Sequence, residues 1–284
     1  MTDRQSSPLI GVDELAELQR REPRLVTLDV QWVLGRTDGH DRFLESHIPG
    51  SRYVDLDREL ASPPSADFGR HPLPTREAFE HTLRLLGVTA ESTIVAYDQS
   101  HGFSASRLWW LLRNAGLEGR VLDGGLAAWR AAGHPVEAGE VSTGSTSELE
   151  IDWDRLATLT IDDASSFPSL GVLLDARAPE RYRGEVEPLD PRAGHIPGAV
   201  SAPVTGNLNP DGSFLSVAQL RDRFASLGVD ETTPVAAYCG SGITASHQLL
   251  ALEVAGFPGA LFPGSWSQWS EDASRPAAVG ASPQ

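Results

Sequence analysis

An internal duplication limits this chain to folds that can be built from two similar halves. The tetrapeptide His-Ile-Pro-Gly occurs twice, beginning at His47 and at His195. Before it, each half has a short apolar run containing aspartate, LVTLD at 25–29 and VLLDA at 172–176. After it, each half has a glycine turn followed by a tryptophan, in DGGLAAW and PGSWSQW. The constant order of these matches indicates two domains of related sequence.

Each half alternates short apolar runs with longer helical patterns, which is typical of parallel strands joined by crossover helices. We therefore predict an α/β fold of two tandem domains, each with a mainly parallel sheet and helices on both faces. The N-terminal domain is placed at residues 1–137 and the C-terminal domain at 151–284. The stretch 138–150 is polar and contains Gly and Ser, so it is interpreted as a linker.

Charge and cysteine content exclude several classes of protein. With 23 basic and 39 acidic side chains the formal net charge is −16, which disfavours nucleic acid and anionic membrane surfaces as partners. No signal peptide or membrane-spanning run is apparent in the sequence. The single cysteine, Cys239, excludes an internal disulfide and a thiolate zinc cluster, and it fits a reducing compartment. We therefore expect a cytoplasmic protein.

The segment around Cys239 carries the strongest chemical signal. Alignment of LGVTAESTIVAYD with LGVDETTPVAAYC places Asp98 opposite Cys239, so only the second half ends this strand in a nucleophile. A glycine-containing loop and a helix follow, and there backbone N–H groups and the helix dipole would favour a thiolate. The residues expected to surround the sulfur are Gly240, Ser241, Gly242, Ile243, Thr244 and Ala245.

Three chemistries use a loop of this kind. Dinucleotide binding requires an acidic residue about 20 positions after the glycines, and the corresponding segment ALFPGSW has none. A cysteine phosphatase requires an arginine to hold the phosphoryl oxygens, whereas Ala245 stands at that position. Attack on a sulfur atom needs only a thiolate ringed by N–H groups. The loop favours this third chemistry.

The chain resembles the rhodanese family of sulfurtransferases, specifically the two-domain thiosulfate and 3-mercaptopyruvate sulfurtransferases, over nearly its whole length. The resemblance is carried by HIPG in both halves and by CGSGITA, RYRGEVEP and DGGLAAW. It implies tandem rhodanese domains, of which the first is inactive because Asp98 cannot carry a persulfide. It also implies a ping-pong reaction without cofactor or metal. Cys239 would accept sulfur from a small donor and pass it to cyanide, a small thiol or a dithiol protein such as a thioredoxin-like protein.

The resemblance also indicates the donor. Thiosulfate-preferring members place basic residues directly after the cysteine, whereas this chain has Gly240 and Ser241 there. The CGSGxT pattern is similar to the 3-mercaptopyruvate type, in which the loop serine acts with a histidine and an aspartate. By resemblance these are His71, in GRHPLP, and Asp57, in VDLD.

Arginine is expected to bind the donor, because a guanidinium matches a carboxylate through two parallel hydrogen bonds. Arg181 aligns with the first arginine of the family's R-[FY]-R-G segment. Members of the 3-mercaptopyruvate type also carry a second substrate arginine, but here Leu189 stands at the aligned position. Arg192 replaces it only if a gap is allowed.

Two alternatives stay open at this stage. One is a thiosulfate:cyanide sulfurtransferase with the same cysteine. The other is a noncatalytic persulfide carrier or redox sensor that uses Cys239 without turnover. We interpret His47 and His195 as structural residues of a turn, since HIPG also occurs in the half that lacks the nucleophile.

Overall fold

The computed structural model describes residues 7–141 and 146–283, which form two compact units. The second unit is built from Ala61–Pro74, Leu156–Asn209 and the chain from Phe214 onward. The remaining described residues form the first unit. The segment Ala61–Pro74 therefore belongs to the second unit, although the sequence alone suggests that it continues the N-terminal domain.

The described parts of the predicted linker 138–150 belong to the first unit. Leu149 is buried, and its carbonyl accepts a hydrogen bond from Arg84 Nε at 2.7 Å. Ser147 N donates to the Arg84 carbonyl at 3.1 Å. Residues 142–145 of the predicted linker lie outside the described residues. The stretch that follows them is thus packed rather than free.

The first unit is built on a five-stranded parallel sheet with the order β1-β5-β4-β2-β3. Its strands are β1 (Leu9–Ile10), β2 (Leu25–Asp29), β3 (Arg52–Tyr53), β4 (Thr93–Tyr97) and β5 (Gly119–Leu122). Its helices are α1 (Val12–Arg21), α2 (Gly39–Glu45), α3 (Leu56–Glu59), α4 (Arg76–Leu85), α5 (Ala105–Asn114) and α6 (Gly125–Ala131).

The second unit is built on a four-stranded parallel sheet with the order β7-β6-β8-β9. Its strands are β6 (Val172–Asp175), β7 (Val200–Ser201), β8 (Val235–Tyr238) and β9 (Ala260–Leu261). Its α-helices are α7 (Ile161–Ser166), α8 (Pro179–Tyr182), α9 (Val217–Ser226), α10 (Ile243–Ala255) and α11 (Ser265–Glu271). Two 3₁₀ helices cover Phe167–Ser169 and Val204–Asn207.

The two sheets share one strand order, since β3-β2-β4-β5 in the first corresponds to β7-β6-β8-β9 in the second. The α/β fold predicted from the duplication is thereby confirmed. In register, β2 and β4 end level with one another, and so do β6 and β8. Ligands of such sheets gather at the carboxyl ends of the strands. Asp98 directly follows β4 and Cys239 directly follows β8, so both lie at this edge.

The His-Ile-Pro-Gly turns are buried anchors of the two sheets. Tyr97 Oη of β4 accepts a hydrogen bond from Ile48 N at 3.0 Å, and Tyr238 Oη of β8 accepts one from Ile196 N at 3.1 Å. The rings of His47 and His195 are fully buried, and Nδ1 of each lies 2.7 and 2.8 Å from a backbone carbonyl oxygen. These contacts support a structural role for both histidines.

The largest side chains that are completely buried include five tryptophans, which belong to the cores of the units: Trp109, Trp110, Trp129, Trp266 and Trp269. None of the helices in residues 7–141 and 146–283 has the length and apolar content that a membrane crossing requires.

Candidate active site

Cys239 lies in the loop between β8 and α10, and only 2% of its surface is exposed. Gly242 N–H donates to Cys239 Sγ at 3.1 Å. Gly242 has φ +81°, a left-handed conformation that glycine adopts without the steric cost of a Cβ. The chain thus curls back toward the sulfur before α10 begins. A backbone donor at this position stabilises a thiolate more than a thiol.

The start of α11 fixes the backbone of the cysteine loop. Ser265 Oγ accepts a hydrogen bond from Cys239 N at 3.1 Å. In return, Trp266 N donates to the Cys239 carbonyl at 3.0 Å and Ser267 N to the Gly240 carbonyl at 2.8 Å. Three bonds from one helix terminus therefore hold the nucleophile and the residue after it in place.

The remaining predicted loop residues form the first turn of α10. Ile243 and Ala245 are buried, and Thr244 is half-buried. Ser246 Oγ donates to the Gly242 carbonyl at 3.1 Å, which fixes the turn from the helix side. Two of these three side chains are thus buried, and the Gly242 N–H is a backbone donor that reaches the sulfur.

The first unit has an acid group in the place of the thiol. The Asp98 carboxylate accepts backbone hydrogen bonds from Ser100, Gly102, Ser104 and Ala105 at 2.9–3.3 Å, and a further one from Ser104 Oγ at 3.1 Å. The loop after β4 thus turns four N–H groups toward one anion. This arrangement shows that the shared strand, loop and helix sequence builds an anion-binding loop.

His71 and Ser241 meet in the second unit. Ser241 is buried, and its Oγ lies 2.7 Å from His71 Nδ1, although the two residues are 170 positions apart in sequence. Ser241 follows Cys239 by two positions, so the pair can polarise a group bound next to the sulfur. Asp57 belongs to the first unit, where its Oδ1 accepts a hydrogen bond from Trp32 Nε1 at 3.0 Å.

Arg181, at the end of α8, is held by two buried carboxylates. Its Nη2 donates to Glu187 Oε1 at 2.6 Å and to Asp190 Oδ2 at 3.1 Å. Arg70 binds the other oxygen of Asp190 through Nη1. Burial raises the pKa of Asp190, while the neighbouring charge of Arg70 opposes this effect. One carboxylate therefore bridges two guanidinium groups.

Both guanidinium groups approach the residue that follows the nucleophile. A Cβ built on Gly240 would lie 3.1 Å from Arg70 Nη2 and 3.4 Å from Arg181 Nη1. A basic side chain at this position, as in thiosulfate-preferring members of the family, would meet these two cations. The glycine leaves the space at its own Cβ position to these two guanidinium groups.

A buried ion pair beneath the site was missed by the sequence analysis. Arg177 contacts both oxygens of Asp175, the last residue of β6, at 2.6–3.1 Å. Burial alone would lower the pKa of Arg177, but the charge and hydrogen bonds of Asp175 outweigh it and raise that pKa. Its guanidinium also lies 4.7 Å from the Trp266 ring. The signal was present in the sequence, since an arginine two positions after a strand-terminal aspartate is placed to pair with it.

The structure locates the residues considered for a second substrate arginine. Leu189 is 45% exposed and carries no charge. Arg192 donates to four backbone carbonyls at and beyond the end of α11, at 2.6–2.8 Å. Its guanidinium thus caps that helix, and backbone carbonyls accept its hydrogen bonds in this structure. Arg70, which the sequence analysis did not consider, is the second arginine next to Arg181.

Within the described residues, no group of three or more His, Cys, Asp or Glu side chains is arranged to hold a metal ion.

Comparison with known proteins gives a consistent result. The rhodanese-like domain matches the sequence twice, over residues 12–132 and 160–272. The chain is 44% identical over 288 residues to a probable 3-mercaptopyruvate sulfurtransferase of Pseudomonas aeruginosa, covering 97% of this chain and 99% of the relative. It is 42% identical over 275 residues to a putative thiosulfate sulfurtransferase of Mycobacterium tuberculosis, covering 96% and 97%.

A solved structure agrees with these relatives. The crystal structure of a 3-mercaptopyruvate sulfurtransferase from Escherichia coli superposes with a TM-score of 0.80 at 32% identity. The match covers 92% of this chain and 100% of that one. The 3-mercaptopyruvate sulfurtransferase from Leishmania major gives a TM-score of 0.82 at 26% identity, covering 94% of this chain and 75% of that one.

Proposed function

Since this chain belongs to the rhodanese-like family and is a sulfurtransferase with two copies of the domain, we propose that it transfers sulfur from 3-mercaptopyruvate through a persulfide on Cys239. The acceptor is a thiol or cyanide. One observation carries the choice of donor: Ser241 Oγ and His71 Nδ1 lie 2.7 Å apart, two residues from the thiol. A ketone-bearing donor can use such a pair, whereas thiosulfate has no ketone.

In the first half-reaction the Cys239 thiolate attacks the sulfur of 3-mercaptopyruvate. An S–S bond forms, the C–S bond breaks, and its electron pair moves onto the three-carbon fragment as an enolate. The Ser241 hydroxyl, polarised by His71, donates a hydrogen bond to the enolate oxygen as its negative charge develops. The proton that the donor sulfur carried then moves to the carbon. Pyruvate leaves, and Cys239 holds one additional sulfur.

In the second half-reaction an acceptor attacks the outer sulfur of the persulfide. Cyanide forms thiocyanate, and the S–S electron pair returns to Cys239 as a thiolate. A thiol acceptor forms its own persulfide in the same way. With a dithiol protein, such as a thioredoxin-like protein, the second thiol then releases the sulfur as sulfide and leaves a disulfide. The Gly242 N–H stabilises the Cys239 thiolate that both halves require.

The other assigned residues have supporting roles in this proposal. Arg181 binds the donor carboxylate, and the backbone of Gly240–Ala245 stabilises the anionic sulfur. Asp57 orients His71, a role that rests on the family resemblance. We also propose a cytoplasmic location, which the lone thiol of Cys239 supports because it would stay reduced there.

Thiosulfate is the second candidate donor. One observation favours it: the position of the second substrate arginine is occupied by Leu189, which is 45% exposed. A relative with 42% identity is also named as a putative thiosulfate sulfurtransferase. In that reaction Cys239 displaces sulfite from the outer sulfur, and Ser241 and His71 have no ketone to polarise.

The test is cyanide-dependent turnover with each donor, compared as kcat/KM. We expect 3-mercaptopyruvate to be preferred, and Ser241→Ala to lower kcat with 3-mercaptopyruvate while leaving kcat with thiosulfate within about twofold. A preference for thiosulfate would overturn the donor assignment and retain Cys239. One persulfide per chain without turnover would instead indicate a noncatalytic carrier or redox sensor.

A further inference from the structure

Arg70 reaches the active site from a segment distant in sequence. Gly69 approaches the start of α11 so closely that a Cβ there would lie 2.6 Å from the Gly264 carbonyl oxygen. Arg70 N then donates to Ser267 Oγ at 3.0 Å, in the same helix turn that holds the cysteine loop. The backbone of Arg70 is thus fixed against the element that positions Cys239.

The guanidinium of Arg70 keeps donors available on the side of the cysteine loop. Nη1 binds Asp190, whereas Nε is buried and has no hydrogen-bond partner in the part of the chain that the structure describes. Nη2 is the atom that lies 3.1 Å from a Cβ built on Gly240. About a quarter of the Arg70 side chain, 27%, is exposed, so an incoming small molecule can reach it.

Arg181 presents the matching donor. Its Nε and Nη2 are used by Glu187 and Asp190, and Nη1 is the atom that lies 3.4 Å from the Cβ position of Gly240. Two N–H donors from two cations therefore converge on one point at Gly240, the residue that follows Cys239. A carboxylate accepts two donors side by side, so this spacing fits one carboxylate group.

We propose that Arg70 is the second carboxylate-binding cation of the donor site, where it takes over the function that the arginine replaced by Leu189 has in related enzymes. This inference rests on the proposed function, because it concerns the carboxylate of 3-mercaptopyruvate. Arg70 and Arg181 bind that carboxylate between Nη2 and Nη1, above Gly240.

Asp190 is the positioning residue of this pair. It is almost completely buried, and it holds one guanidinium on each of its two oxygens. This bridge sets the separation of the two cations before the donor binds, which lowers the cost of ordering two long side chains. It also neutralises part of their charge, so a singly charged carboxylate suffices to complete the site.

The test compares Arg70→Ala with the matched control Arg183→Ala. Arg183 lies in the same RYRG segment, and its Nε and Nη2 bind Glu185 on the surface. For Arg70→Ala we expect KM for 3-mercaptopyruvate and the inhibition constant of pyruvate to rise together by about 10- to 100-fold, with kcat within about threefold. Arg70→Lys, which keeps one charge, should recover part of the loss. Arg183→Ala should behave as the wild type.

Several results would overturn the inference. If Arg70→Ala and Arg183→Ala have the same KM and the same inhibition constant for pyruvate, Arg70 does not bind the carboxylate. A fall in kcat at unchanged KM would assign Arg70 to another step. If Arg70→Ala has a lowered melting temperature and Arg70→Lys does not have a raised KM, the role of Arg70 is structural. If the wild type fails to turn over 3-mercaptopyruvate, the proposed function fails first, and pyruvate inhibition of any thiosulfate activity still tests Arg70.

Discussion

Asp98 and Cys239 occupy the same position in the two units. Asp98 directly follows β4, which pairs with β2, and Cys239 directly follows β8, which pairs with β6. Four backbone N–H groups bind the Asp98 carboxylate, and Gly242 N–H binds the Cys239 sulfur. Both loops thus offer N–H donors to an acid group. In the first unit the chain supplies a carboxyl group to these donors, whereas in the second it supplies a thiol that can carry a sulfur atom.

This relationship predicts a stability effect for Asp98→Ala. Removing the carboxylate leaves several buried N–H groups without an acceptor, each at a cost of about 1–3 kcal/mol, part of which water recovers. We expect the free energy of unfolding of the first unit to fall by about 2–4 kcal/mol. Chemical denaturation measures it, with the exposed Glu91→Ala as control. A denaturation midpoint equal to that of the control would contradict the role given to Asp98.

A second prediction concerns pH. Burial raises the pKa of Asp29 to about 7, although a hydrogen bond from Gln31 opposes the shift. In the second unit the equivalent aspartate, Asp175, pairs with Arg177, which is two positions further along the chain. Gln31 stands at that position in the first unit, so Asp29 has no arginine partner there. The folded state therefore binds more protons than the unfolded state between pH about 4 and 7, and its stability falls as pH rises through this window.

The size of the effect follows from the shift. Three pKa units correspond to up to about 4 kcal/mol of stability lost by the high end of the window. Asp29→Asn cannot ionise, so its stability should depend less on pH across that range. Urea denaturation of both proteins at several pH values measures the difference. Parallel pH profiles would show that Asp29 is ionised in the folded protein throughout.

The fold and the nucleophile could be predicted from the sequence because both depend on local order. The run LVTLD at 25–29 is β2 with the same bounds, and the position of Cys239 before Gly240 already indicated a loop at a strand end. Side chains brought in from distant segments could not be predicted from spacing. Arg70 reaches Asp190 across 120 residues, and its segment packs with a unit to which the sequence does not assign it.

The space above Gly240 yields a third prediction. A methyl group there would lie 3.1 Å from Arg70 Nη2, which is tighter than an ordinary contact, and 3.4 Å from Arg181 Nη1, so the Arg70 guanidinium must shift by a few tenths of an ångström. We expect Gly240→Ala to fold normally and to raise KM for the donor by about 10-fold. Gly11→Ala is the control, because a Cβ on Gly11 meets nothing within 4 Å. Equal KM values for the two variants would show that the cations tolerate a side chain.

Ser241 and His71 should act as one unit in turnover of 3-mercaptopyruvate. Each single alanine variant is expected to lower kcat by about 10- to 100-fold, which is typical for loss of one positioned proton donor. The double variant should lose little more than either single one, because the second removal takes away a partner already disabled. Steady-state kinetics of the four proteins complete the cycle. Multiplicative losses would show that the two residues act independently.

The proposed persulfide on Cys239 is tested most directly by the mass of the intact protein after incubation with 3-mercaptopyruvate without an acceptor. We predict an increase of one sulfur atom per chain, located on the peptide that contains Cys239, and its loss when cyanide is added. Cys239→Ser should show neither the added sulfur nor any turnover while remaining folded. Turnover by Cys239→Ser, or an added sulfur elsewhere in the chain, would contradict the assignment of Cys239 as the sulfur carrier.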